Sequence, residues 1–139
     1  MIARRPALVA ASLIVTLFLA LMAVAITADL ADAKSTAVIH RAALKGSSVF
    51  PAVNGTAKWK SDGGKREFEV QIQDAGKLKG KRLTVRIGGV TIGKMTVGSL
   101  GRARLVRRTE AGQFVPKNIL GKTVRVLTRG GTLVARGTF

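Results

Sequence analysis

The chain has 139 residues, with 24 lysines and arginines against 7 acids, a net charge of +17, no cysteine and a single histidine. That length holds one domain, and the missing cysteines exclude disulfides and thiolate metal sites. Five Phe, one Trp and no Tyr leave little for stacking sugars or single-stranded nucleic acid.

Residues 1–33 carry Arg4 and Arg5 near the start, then an almost wholly apolar run, Leu8–Ala28. A basic start before such a run is an export signal, and its length also reaches that of a membrane span. Ala31-Asp32-Ala33 offers the small residues a signal peptidase accepts. Residues 1–33 are therefore expected to be an apolar helix, either a cleaved signal peptide or a retained membrane anchor. Both place the remainder outside the cytoplasm: secreted, periplasmic or on the cell surface. Arg4 and Arg5 cancel Asp29 and Asp32, so the entire charge excess lies after residue 33.

Residues 34–54 mix Ser, Thr, Ala, Gly and Pro51 without a sustained period and read as a linker. His40 is expected to be solvent-exposed there. From Gly55 onward alternation of period two governs, the mark of half-buried strands. Ala57 and Trp59 face one way, Lys58 and Lys60 the other. Phe68, Val70 and Ile72 face in from Arg66–Gln73, and Leu83, Val85 and Ile87 from the stretch that follows. Gly88-Gly89 is a hairpin signal. The apolar phase changes at Gly93, where a β-bulge would restore it.

The C-terminal part repeats this scheme. Thr84-Val85-Arg86-Ile87 is answered by Thr123-Val124-Arg125-Val126, and the ten residues from Gly88 by the ten from Gly130, after the insertion Leu127-Thr128-Arg129. Ala103 and Leu105 face in, with Arg102 and Arg104 out. Phe114-Val115-Pro116 is expected to form only a short or edge strand, since Pro116 cannot donate to a ladder. Leu133, Ala135 and Phe139 are expected to close the core, with Arg136 outside. These patterns predict an all-β domain over 55–139, an antiparallel sandwich or small barrel of seven to eight strands. Its halves, 55–97 and 101–139, are expected to superimpose strand for strand, with equivalent turns at the two Gly-Gly pairs.

The pattern GxA…FEV…LTVRIGG…VG…GxAxL…VP…G…VRV…GTF over Gly55–Phe139 resembles a group of small exported bacterial β-domains. The matched residues are glycines, turns and core positions. The resemblance therefore implies a fold and an exported location, and it carries no site residue.

Nucleophilic or acid–base catalysis needs a nucleophile with a base, paired carboxylates or a metal. After residue 54 there is no histidine, and the acids are Asp62, Glu67, Glu69, Asp74 and Glu110. Glu67 and Glu69 share a strand face beside Lys65 and Arg66, as a solvated salt-bridging surface would. A non-catalytic domain without metal or cofactor is expected. The outward cations Lys58, Lys60, Arg86, Arg102, Arg104, Arg125 and Arg136 are the candidate site, for an anionic polymer or lipid surface of the cell envelope. Nucleic acid would be bound without sequence specificity. The alternative is a structural or assembly module that docks to a protein partner.

Overall fold

The computed structural model describes residues 36–139, and the expected N-terminal helix lies outside them. Residues 37–139 form one compact unit. Its eight strands are β1 (Val38–Gly46), β2 (Asn54–Asp62), β3 (Lys65–Gln73), β4 (Arg82–Ile87), β5 (Val90–Thr96), β6 (Ala103–Arg108), β7 (Thr123–Thr128) and β8 (Leu133–Thr138). They make one antiparallel sheet in the order β5-β4-β7-β8-β1-β2-β3-β6. The terminal strands β5 and β6 lie beside each other, so the sheet is barrel-like and nearly closed. Among the described residues the only helical pieces are 3-10 turns at Gly76–Leu78 and Thr109–Ala111.

Alternation builds the interior as the sequence leads one to expect. Phe68, Val70, Leu83, Val85, Val124 and Val126 are fully buried. Trp59 joins them and donates its indole N–H to the Pro116 carbonyl at 3.0 Å. The bulge is also present: Val85 stands opposite Gly93 and Arg86 opposite Thr91, which leaves Ile92 as the extra residue. The bulge turns both Ile92 and Met95 inward. Gly93 has a second role at the seam between β5 and β6, because a Cβ there would stand 2.5 Å from Nη2 of Arg107. The Arg107 side chain fills that space.

Several expectations are corrected. The linker is not one: residues 38–46 form β1, which pairs with β2 from Val38↔Ser61 to Lys45↔Asn54 and with β8 at Lys45↔Arg136. Alternation is muted there because Ala42 and Leu44 carry the inward face and Ala43 sits outward between them. β1 is the strand that joins β8 to β2, so the sheet depends on it. His40 accordingly lies half-buried in a strand and stacks on Trp59, with ring centroids 5.6 Å apart.

Residues 114–116 form no strand. Val115 and Pro116 are buried in a loop whose carbonyls accept from Trp59 and from Nε of Arg66 (3.2 Å), and Ile119 follows them into the core. On β8 a register shift between Val126 and Leu127 leaves Leu133 half-exposed and buries Val134 beside Ala135.

Strand-for-strand equivalence of the halves holds only for the hairpins β4–β5 and β7–β8. These meet along β4 and β7 with Arg86 opposite Arg125, and with Val85↔Val126 and Ile87↔Val124 symmetrically about that pair. In the second half β3 has no counterpart, and the turns differ. Gly88 and Gly89 both take positive φ (55° and 83°), as a tight two-residue hairpin requires. The insertion Leu127-Thr128-Arg129 lengthens the other turn, which closes by Gly131 N–H to Thr128 O and leaves only Gly131 at positive φ.

Candidate functional site

The register aligns four cations in one row. Arg86 on β4 faces Arg125 on β7, Arg125 faces Arg136 on β8, and Arg136 faces Lys45 on β1. Each is exposed, because each alternates with core residues such as Val85, Val124, Ala135 and Leu44. Neighbouring strands lie about 4.8 Å apart, so the four positions define a strip about 14 Å long across the sheet. Arg86 donates from Nη2 to the Gly89 carbonyl at 2.6 Å, which ties its guanidinium to the turn. Among the described residues no carboxylate lies within ion-pair distance of any of the four. Like charges directly opposite on adjacent strands are destabilising, so the strip carries a repulsion that no carboxylate of the described residues relieves.

The face formed by β2, β3 and β6 is built differently. Glu69 takes Lys58 at 3.5 Å and Arg104 at 3.2 Å, and Glu67 takes Nε of Arg108 at 2.6 Å. Lys60 reaches Asp62 at 4.0 Å, and Lys65 reaches Glu110 at 2.8 Å. Burial pushes the Glu69 carboxyl up, but hydrogen bonds from Arg104 and Gln71, with the charges of Arg104 and Lys58, hold it below its ordinary value. The hydrogen bond and charge of Glu110 raise Lys65, and the same pair lowers Glu110.

The expected site residues therefore divide. Arg86, Arg125 and Arg136 are brought together. Lys58, Lys60 and Arg104 are occupied by carboxylates, and Arg102 stands apart from the strip, exposed at the entry to β6. Sequence reasoning missed Lys45, because it lay in the supposed linker. The available signal was the outward phase of Arg41, Ala43 and Lys45 against buried Ala42 and Leu44.

Beyond Lys45 the row runs into side chains of another kind. Asn54 faces Lys45, and Gln73 faces Asn54. These two amides help line an open groove of about 550 Å³ together with Thr56, Gln71, Arg102 and Arg104. Gln73 donates to the side-chain oxygen Oδ1 of Asn54 at 2.6 Å, and Asn54 donates from Nδ2 to Asp74 at 2.8 Å. Among the described residues no cluster of three or more acids or histidines could hold a metal ion.

No family model matches the sequence, and no curated protein matches it significantly.

Proposed function

We propose that this protein is an exported, non-catalytic β-domain that captures anionic polymers or anionic surfaces of the cell envelope on the strip Lys45–Arg136–Arg125–Arg86. In this reading residues 1–33 direct export, as a cleaved signal or a retained anchor. The two matching hairpins descend from one duplicated unit, which set Arg86 against Arg125.

One observation carries the reading: four cations face one another across four adjacent strands with no carboxylate among them. A bound polyanion would supply the missing counter-charge. Three of the four are arginines, whose planar forks match phosphate and carboxylate oxygens in pairs.

The test is salt-dependent binding of long-chain polyphosphate and single-stranded DNA to the wild type and to the triple variant Arg86→Gln, Arg125→Gln, Arg136→Gln. For DNA, log affinity should fall linearly with log salt, and the variant's slope should be shallower by about 2, near 0.7 for each lost contact. Binding that ignores salt, or a variant that binds like the wild type, contradicts the reading.

A further inference from the structure

We infer that the strip and the adjoining groove act together, and that the polymer they select is an acidic polysaccharide rather than a simple polyphosphate. This deepens the reading above and rests on it. The row Arg86–Arg125–Arg136–Lys45 continues without a break into Asn54 and Gln73, one residue per strand. Four cationic positions are thus followed by two carboxamides, each of which both donates and accepts hydrogen bonds. Beside them, Thr56 stands opposite Gln71 and adds a hydroxyl to the groove wall.

A polyphosphate offers only acceptor oxygens to this surface and would need cations along its whole path. The groove instead sets only two cations, Arg102 and Arg104, among amides and hydroxyls, with carboxylates behind them. Asp74 is held by Asn54, and Glu69 lies under Arg104. Those carboxylates are already taken by Asn54, Arg104, Lys58 and Gln71, so what the groove offers a ligand is chiefly its amides and hydroxyl, which suit sugar hydroxyls better than bare phosphate oxygens. Asn54, Gln73 and Thr56 likewise suit hydroxyls, and the arginine strip suits the carboxylates or sulfates of the same chain. The groove lining has no aromatic residue. A neutral sugar would therefore lack an apolar surface to stack on, so recognition falls to charge and amide hydrogen bonds.

The experiment titrates the full chain with oligogalacturonate and with polyphosphate of matched charge. It compares the wild type, the groove variants Thr56→Val and Gln71→Ala/Gln73→Ala, and the strip variant Arg125→Gln/Arg136→Gln. Thr56→Val keeps a β-branched residue in the strand, so it preserves the fold if the double alanine does not. The expected result is tighter wild-type binding of the uronate, a loss of about tenfold for uronate in the double groove variant with a smaller loss in Thr56→Val, and unchanged polyphosphate binding in both. The strip variant should weaken both ligands. Equal loss of the two ligands in the groove variants, no loss of either, or wild-type preference for polyphosphate overturns the groove's role while the strip's role stands. A strip variant that binds both ligands normally overturns the underlying reading as well.

Discussion

Two faces of one sheet, drawn from the same alternation of apolar and basic residues, manage charge in opposite ways. On β2, β3 and β6 the outward cations meet acids across the ladder: Lys58 and Arg104 share Glu69, and Arg108 takes Glu67. On β4, β7, β8 and β1 the outward cations meet one another. The acids of the described residues all lie between Asp62 and Asp74 or at Glu110, so only one face is supplied with them. Surface ion pairs contribute little stability individually, typically below about 1 kcal/mol. The contrast therefore matters less for holding the fold than for where a soluble anion can find unclaimed cations.

The largest expected effect removes both faces at once. Phe68 is fully buried and stands opposite Trp59 on β2, with Phe139 edge-on at 6.5 Å. Phe68→Ala should cost about 3–5 kcal/mol, comparable with the whole stability of a small domain. Urea denaturation should show a largely unfolded population, and a midpoint near the wild-type value would mean that the faces do not share this core.

A smaller change should turn the paired face into a second strip. Glu69→Gln frees Lys58 and Arg104 together and should cost about 1–2 kcal/mol, since two partly buried charged contacts are lost. The same variant should bind polyanion with a steeper salt dependence than the wild type. Unchanged stability and an unchanged slope would show that Glu69 neutralises nothing of consequence.

Acid should separate the faces without mutation. Glu69 and Glu110 have lowered pKa values in the folded state. Their stabilisation is present above the ordinary carboxylate value, about 4.3, and is lost as pH falls through the lowered folded values. Lys65 has a raised pKa, so its contribution is complete below the ordinary lysine value, about 10.4, and fades as pH rises through the folded one. Stability followed from neutral pH downward should therefore decline in the carboxylate window, while the strip, which holds no carboxylate, keeps its affinity for sulfated polymer. Parallel loss of binding and stability in Glu69→Gln, where only the Glu110 titration remains, would contradict the separation.

Much of this arrangement was legible in the sequence, and its gaps have physical causes. Alternation identified seven of the strands and the inward set from Phe68 to Val126, because large branched side chains alternate cleanly with charge there. The bulge beside Gly93 was legible as a change of phase. β1 was not, because Ala42 and Ala43 occupy opposite faces with the same small side chain, and alanine has little strand preference. Losing β1 also hid Lys45 and the path from the strip to the groove. The repeat correctly pointed to Arg86 and Arg125 as counterparts, but no one-dimensional pattern could show that they face each other. Their juxtaposition comes from antiparallel pairing of two hairpins about a shared centre. The partners of Lys58 and Arg104 were hidden for the same reason, as Glu69 becomes their neighbour only once β2, β3 and β6 align.

On the proposed function the strip is left unpaired so that an external anion can complete it. Arg125 is the residue to change, since it faces Arg86 on one side and Arg136 on the other. Arg125→Glu would replace two repulsive cross-strand pairs by two attractive ones and should raise stability by about 1 kcal/mol. The decisive measurement is the urea midpoint of the wild type and of Arg125→Glu, each with and without a saturating anionic polymer, in urea because an ionic denaturant would screen the charges. The variant alone should be more stable than the wild type, and polymer should raise the wild-type midpoint while barely moving the variant's. A variant less stable than the wild type, stabilised by polymer to the same extent, would contradict the proposal.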